Sequence, residues 1–163
     1  MYQNKLKMKE TIEKFYQSFT NLDPEGMAAC YHKDVHFNDP AFGDLKGERA
    51  GNMWRMLLSS QKGKDFRVKY SNIQSTGETV SADWEAFYTF SQTGRKVHNN
   101  IHAEFKFKDG KIIEHIDDFN LHKWAKQAMG TKGSLIGWTG FFKKKLNTQT
   151  NKLLTTFEQT LKK

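Results

Sequence analysis

Asp39 is the residue of this chain whose type and position best allow chemistry. It ends a short strand-like run, Val35–Asn38, and is followed at once by Pro40 and soon by Gly43. Proline and glycine turn the backbone away from regular structure, so the carboxylate is held at a strand end. A carboxylate held there under an aromatic wall can be the general base of a small cavity enzyme. It can also do no more than organise the turn before Pro40, and the sequence leaves both interpretations open.

A second candidate is a histidine–aspartate pair on two neighbouring strands. Asp109-Gly110 predicts a two-residue hairpin turn, and counting back from it places His102 opposite Asp117. A three-residue loop at Gln92-Thr93-Gly94 then places Trp84 opposite His102. An imidazole oriented by a carboxylate can give or take a proton near neutral pH. A cross-strand pair on an exposed face would contribute little, and this alternative stays open too.

Strand alternation sorts the side chains of this region into two faces. One face mixes aromatic and titratable groups, and we expect it to line a cavity under the N-terminal helices: Trp84, Tyr88, His98, Asn100, His102, Glu104, His115, Asp117 and Phe119. The other face is apolar, and we expect a second subunit or the C-terminal helix to cover it: Phe87, Val97, Ile101, Ala103, Phe105, Phe107, Ile112 and Ile116. A register slip of one residue would exchange the two faces.

Periodicity supplies the elements that must position these residues. Apolar spacing predicts helices over about 4–21, after Asp23-Pro24, after Gly47, over 123–129 and over about 141–161. Period-two alternation predicts strands over 66–73, 80–91, 96–108 and 112–120, besides the run before Asp39. Helices, then a meander of long strands, then helices predict an α+β fold whose curved antiparallel sheet closes a pocket against the N-terminal helices.

Composition narrows the classes of function. The chain has 163 residues, a single cysteine and a net charge of +8. One domain is expected, and the single cysteine, Cys30, excludes an internal disulfide and favours a reducing, cytoplasmic location. Lysines cluster near the chain ends beside glutamates without a nucleic-acid motif, so we expect no nucleic-acid partner. No apolar run could span a bilayer and the N-terminus does not look like a signal peptide, so we expect no membrane partner.

The chain also resembles a known superfamily over roughly residues 8–128. The resemblance rests on four motifs in order: Phe15-Tyr16-Gln17-Ser18-Phe19, Asn38-Asp39-Pro40 with Gly43 and Gly47, Trp84-Glu85-Ala86, and the stretch 107–115. These motifs resemble the nuclear transport factor 2-like superfamily, and within it the SnoaL-like polyketide cyclases and the ketosteroid isomerases. The resemblance implies a cone-shaped domain over 1–130, to which 131–163 adds a C-terminal helical extension packed on the same domain.

Site residues follow from the resemblance position by position. The acidic base that precedes a proline in ketosteroid isomerases falls on Asp39, and their oxyanion-hole tyrosine falls near Tyr16. Their second oxyanion donor, a protonated aspartate, falls on His102 or Ala103, which is a departure from that enzyme. SnoaL-like cyclases pair a histidine with an aspartate in the cavity, and His102 with Asp117 fits that pattern.

Together these observations predict a cofactor-independent isomerase or cyclase that acts on a small apolar carbonyl compound. Asp39 or Asp117 would remove the proton alpha to the carbonyl, and Tyr16 and His102 would hold the oxyanion. We expect the substrate to contact Trp84, Tyr88, Asn100, His115, Phe119, Phe42 and Met53. We expect no cofactor and no metal, because strand histidines such as His98, His102 and His115 do not converge readily. The alternatives are a non-catalytic protein that binds a hydrophobic ligand and an interaction domain that dimerises; a homodimer through the convex sheet face is expected in each case.

Overall fold

The structure is a computed structural model that describes residues 2–162. Met1, the first residue of the predicted domain over 1–130, and Lys163, the last residue of the predicted extension over 131–163, lie outside the described residues. In chain order the elements are α1 (Tyr2–Thr20), α2 (Pro24–Ala28), β1 (Tyr31–Asp39), β2 (Gly43–Lys46), α3 (Glu48–Gln61), β3 (Arg67–Thr76), β4 (Thr79–Phe90), β5 (Arg95–Lys108), β6 (Lys111–Asp118), α4 (Leu121–Met129), α5 (Thr131–Ile136) and α6 (Gly140–Leu161).

The six strands form one sheet in the order β2-β1-β6-β5-β4-β3. Neighbours pair antiparallel except β1 and β6, which pair parallel. The α+β class is therefore confirmed, but the sheet is mixed and open where the sequence predicted an antiparallel one. Its inner face packs against α1 and α3 in a core that contains Ile12, Phe15 and Trp54.

Most local signals act as the sequence predicts. The Asp23 side chain accepts a hydrogen bond from the backbone N–H of Gly26, and Pro24 takes the first position of α2. The helix α2 ends at Ala28, and Tyr31 begins β1. The turn after Asp39 continues into a short strand, β2, because residues 43–46 pair back onto β1.

The register of the central strands differs from the prediction by one residue. Four residues rather than three connect β4 to β5, since Phe90 pairs with Arg95. The β5–β6 turn is as predicted, with Lys108 opposite Lys111, but the register then shifts at Ile113, so that Ala103 rather than His102 lies opposite Asp117. A bulge of one residue moves each following side chain to the other face.

The inner face therefore carries the apolar residues that were expected outside. Ile101, Ala103 and Phe105 are buried in the core, whereas His102 and Glu104 are exposed on the outer face. The predicted apolar outer face is wrong, because a sheet of this kind must present its apolar side chains to the helices that cover it. Phe87 and Ile116 are the members of that set that do face outward, among polar neighbours.

The C-terminal helices pack on the same sheet and on α3. Gly133 and Gly137 allow α5 to lie directly on α4, since a Cβ atom built on Gly133 would be 1.9 Å from the backbone oxygen of Ala125. Phe142 of α6 packs in a second cluster with Val97 and Trp124, and Leu154 joins the main core. Across residues 2–162, no helix has the length and apolar content needed to cross a bilayer.

Candidate acid–base site

Asp39 ends β1 with its carboxylate folded onto the following turn. Its Oδ1 accepts hydrogen bonds from the backbone N–H groups of Ala41 at 3.0 Å and Phe42 at 2.6 Å. The turn-organising role considered for this residue is therefore present. It uses only one of the two carboxylate oxygens, so it leaves the second oxygen available for other chemistry.

A chain of buried hydrogen bonds crosses the inner face of β1 and β6. The indole N–H of Trp54 donates to the Tyr31 hydroxyl at 2.8 Å, and that hydroxyl lies 2.8 Å from Nδ1 of His115. His115 Nε2 lies 2.9 Å from Oδ1 of Asp117, which also accepts the indole N–H of Trp84 at 3.2 Å. These partners assign the tautomer: Tyr31 donates to Nδ1, and the Nε2–H of a neutral imidazole donates to the carboxylate.

Strand pairing brings the two carboxylates together. Phe37 lies beside His115 and Asn38 beside Ile116 in the parallel β1–β6 pair. Continuing that register by one residue places Asp39 beside Asp117, on the face that Phe37 and His115 share. Neighbouring strands are about 4.8 Å apart, so the two acidic side chains are adjacent. That both carboxylates serve one catalytic site stays a prediction.

The Tyr16 hydroxyl is buried and has no hydrogen-bond partner among the described residues. Its ring stacks on Tyr70 at 5.2 Å between centroids and lies 6.5 Å from the ring of Trp84. A buried hydroxyl without a partner costs about 1–3 kcal/mol, so a ligand or a water that accepted a hydrogen bond from it would be favoured there.

The electrostatics of these groups reflect burial. Burial raises the pKa of Asp39 from 3.8 to about 7; the two backbone N–H groups oppose this shift and the negative charge of Asp117 adds to it. Asp39 as a residue is partly exposed, but protein atoms surround most of its carboxyl group. Burial, followed by the charge of Asp117, raises the pKa of Tyr16, which keeps its hydroxyl protonated as a hydrogen-bond donor.

Two predicted site residues do not reach this site. His102 points outward, where Nδ1 lies 2.7 Å from Oδ1 of Asp83 and the side chain is 54% exposed. Asn100 is exposed on the same outer face. Both placements were wrong because the register shift described above reverses β5 relative to its neighbours.

The other predicted residues lie on the inner side. Phe42 and Met53 are buried in the main core, and Trp84 and His115 belong to the hydrogen-bond chain. Tyr88 and Phe119 are half-buried between the two clusters, and the Tyr88 hydroxyl accepts the indole N–H of Trp124 at 2.7 Å. Two surface clefts, one beside Lys7 and Asp109 and one beside His32 and Arg55, do not include the acid–base residues.

The helix α6 contributes to this site in a way that the sequence did not predict. Asn147 donates to the backbone oxygens of Pro40 and Ala41, and Asn151 donates to that of Phe42 at 2.7 Å. The helix is anchored to α3 by the Arg49–Glu158 ion pair. Asparagines four residues apart on a helix share a face, which was the available signal. The predicted accessory helix therefore fixes the turn that holds Asp39.

The comparisons with known proteins agree with this architecture. A model of the SnoaL-like domain matches residues 12–115, which is more than half of the chain. The chain belongs to the SnoaL-like domain family. The matched region runs from α1 to His115, so α4, α5 and α6 lie beyond it. No curated protein matches the chain significantly.

Solved structures share the fold of this SnoaL-like domain at low identity. A protein from Xanthomonas campestris, provisionally described as a polyketide cyclase, is 20% identical, with a TM-score of 0.61 over 76% of this chain and 98% of its own. TerC, crystallised with polyporic acid, is 20% identical, with a TM-score of 0.63 over 74% and 97%. An epoxide hydrolase of the LEH-like type from M. tuberculosis is 21% identical, with a TM-score of 0.58 over 82% and 92%. At this identity the likeness establishes the fold alone.

Proposed function

We propose that this SnoaL-like domain is a cofactor-independent enzyme that moves a proton on a small apolar carbonyl compound. The observation that carries the proposal is the Asp39 carboxyl, whose pKa is raised to about 7 by burial, with a further contribution from the charge of Asp117. A base with a pKa near the working pH combines a useful ionised fraction with a strong drive to accept a proton. The buried Tyr16 hydroxyl, which lacks a partner among the described residues, supplies a donor in the same interior.

In the proposed reaction the free oxygen of Asp39 removes the proton alpha to the carbonyl. The electron pair moves onto the carbonyl oxygen, and the Tyr16 hydroxyl donates a hydrogen bond to the resulting oxyanion. Return of the proton from Asp39 to a different carbon gives an isomer. Alternatively, the enolate attacks a second carbonyl of the same substrate, and the resulting alkoxide takes the proton back from Asp39 to give a cyclised alcohol. Asp117 takes the role of a fixed negative charge that keeps Asp39 basic, because its Oδ1 is already held by His115 and Trp84.

The test separates the two roles of Asp39, because asparagine keeps the oxygen that accepts from Ala41 and Phe42. We expect wild-type protein to exchange the alpha protons of one or more small cyclic ketones with deuterium in D2O, followed by NMR. Asp39→Asn should lower that exchange by a factor on the order of 10² to 10⁴. Asp44→Asn is the matched control, since Asp44 lies near the same turn but pairs with His36 in an exposed position.

A measurement on the free protein tests the same proposal without a substrate. Carbon-13 NMR titration should give Asp39 a pKa near 7. An ordinary pKa near 4 for Asp39, or equal exchange rates in the wild type and Asp39→Asn, would contradict proton abstraction by this residue.

A non-catalytic ligand-binding protein is the second candidate, and the aromatic interior favours it. Phe19 packs edge-on against Trp54 and Trp84, with centroids 5.0 and 5.1 Å away, and such rings bind apolar ligands without any proton transfer. This candidate predicts that Asp39→Asn binds the same apolar ligand with unchanged affinity. Cytoplasmic location and a homodimer stay predictions, and the apolar face that motivated the homodimer lies in the core.

A further inference from the structure

Three large apolar side chains are exposed together where α5 passes into α6. Leu135 is 68% exposed, Trp138 is 72% exposed and Phe141 is 75% exposed, and we call these three residues the apolar tip. The indole N–H of Trp138 donates to the backbone oxygen of Leu135 at 3.1 Å. Because its polar atom already has a partner within the chain, Trp138 presents a purely apolar surface to its surroundings.

The net positive charge of the chain is concentrated in the sequence segment that contains this tip. Between residues 119 and 157 the sequence has no aspartate or glutamate, and it has seven lysines: Lys123, Lys126, Lys132, Lys143, Lys144, Lys145 and Lys152. The 18 acidic residues of the chain all lie outside this segment, along with the other 19 of its 26 basic residues. The remainder of the chain is thus nearly neutral, with a net charge of about +1, and the segment that bears the apolar tip carries seven of the eight net positive charges.

Helical spacing puts lysines and tip residues on common faces. Lys144 and Lys145 follow Phe141 by three and four residues on α6, and Lys132 precedes Leu135 by three residues on α5. All three lysines are exposed. The surface therefore has apolar side chains at its centre and ammonium groups beside them.

We infer that the apolar tip docks on an anionic lipid surface. Tryptophan, phenylalanine and leucine enter the boundary between headgroups and acyl chains, while neighbouring lysines bind the anionic headgroups. A second copy of the chain fits less well, because a symmetric contact would bring the two lysine clusters together. Leu135 has no use in a nucleic-acid contact, and the segment contains no arginine. This inference revises the expectation of no membrane partner, which considered spanning segments only.

Intrinsic fluorescence reports this contact directly. The chain has four tryptophans, and Trp54, Trp84 and Trp124 are at most 9% exposed, so a change in polarity on docking affects Trp138 above all. Titration with vesicles of phosphatidylcholine and phosphatidylserine should shift the emission to shorter wavelength, and added salt should weaken binding. Trp138→Phe should still float with these vesicles in a density gradient but should show no wavelength shift.

Two double variants with matched controls test the two parts of the surface. Trp138→Ser with Phe141→Ser, and separately Lys144→Gln with Lys145→Gln, should each lower the partition constant on phosphatidylserine vesicles by at least about tenfold. The controls are Leu6→Ser, an exposed leucine on α1, and Lys62→Gln with Lys64→Gln, two exposed lysines after α3; each should change binding less than about twofold. All substituted side chains are exposed, and thermal unfolding checks that each variant is folded.

Three results would overturn the inference. The first is no binding of the folded wild type to phosphatidylserine vesicles, and the second is equal binding by the wild type and both double variants. The third is another occupant of the surface. That result would be either a dimer in light scattering that Trp138→Ser with Phe141→Ser abolishes, or binding to a labelled single-stranded oligonucleotide that is tighter than binding to vesicles.

Discussion

Two histidine–aspartate pairs lie on opposite faces of the same sheet. On the outer face His102 Nδ1 lies 2.7 Å from Oδ1 of Asp83, and the two side chains are 54% and 44% exposed. On the inner face His115 Nε2 lies 2.9 Å from Oδ1 of Asp117, and the two side chains are 1% and 3% exposed. The distances are nearly equal, so the surroundings of each pair decide what it can do.

Water screens the outer pair, whereas the inner pair depends entirely on its protein partners. Hydrogen bonds from Asn72 and then His102 lower the pKa of Asp83, as is usual for an exposed carboxylate with donors nearby. Asp117 instead relies on the N–H groups of His115 and Trp84 in the protein interior. The buried imidazole–carboxylate pair is thus required for stability, whereas the exposed pair contributes little to it.

The largest effect that this comparison predicts is on stability. Asp117→Ala leaves the Nε2–H of His115 and the indole N–H of Trp84 buried without an acceptor, and we expect it to lower the free energy of unfolding by about 3–5 kcal/mol. Asp83→Ala, the matched outer variant, should cost less than about 1 kcal/mol. Urea denaturation followed by circular dichroism measures both values.

A conservative variant sharpens the result. Asp117→Asn keeps one acceptor oxygen for the two N–H groups, so its loss of stability should be smaller than that of Asp117→Ala. Equal losses for Asp117→Ala and Asp83→Ala would contradict the view that burial separates the two pairs.

The comparison also explains which parts of the site the sequence could predict. Asp39 and Tyr16 lie on elements with strong local signals, a strand that ends before a proline and a long amphipathic helix, and the structure has both of these elements. Tyr16 is fully buried, whereas Asp39 is partly exposed. Asp117 was paired with the wrong histidine. His115 lies two residues from it on the same strand, so the alternation of β6 alone would have put those two side chains on one face.

The sequence paired Asp117 with His102 instead of His115 because of two local irregularities in the strands, which residue propensities do not reveal. Ile113 is the extra residue in β6, and a fourth residue lengthens the loop after β4, where the Thr93 hydroxyl donates to the backbone oxygen of Ala128. That contact comes from α4, which is distant in sequence. The alternation of Ile101, Ala103 and Phe105 would have predicted the correct orientation of β5, because the most apolar face of a covered sheet lies in the core.

A smaller effect should appear in the pH dependence of the free energy of unfolding. Its slope against pH should have opposite signs for Asp39 on the inner face and Asp83 on the outer face. The pKa of Asp39 is about 7 in the folded state and about 3.8 when unfolded, so the folded state holds this proton more tightly. Wild-type stability relative to Asp39→Asn should therefore be greatest below about pH 4, fall as the pH rises to about 7, and then level off, with a total change of up to about 4 kcal/mol.

Asp83 provides the control of opposite sign. Its folded pKa is lowered, so its contribution is present above its unfolded pKa and is lost as the pH falls through the folded value. Wild-type stability relative to Asp83→Asn should thus rise with pH over the acid range. Unfolding in urea at a series of pH values gives both curves, and slopes of the same sign for the two variants would contradict the assigned environments.

The smallest effect concerns two buried tyrosines that differ in their hydroxyl partners. The Tyr31 hydroxyl accepts a hydrogen bond from Trp54 and donates one to His115. Tyr31→Phe leaves both partners buried without a hydrogen bond, so it should lower the free energy of unfolding by about 1–3 kcal/mol. The Tyr16 hydroxyl has no partner within the described residues, so Tyr16→Phe should leave stability unchanged or raise it by less than about 1 kcal/mol. A loss for Tyr16→Phe as large as that for Tyr31→Phe would mean that the hydroxyl is already satisfied in the free protein, and it would then be a poor donor for an incoming oxyanion.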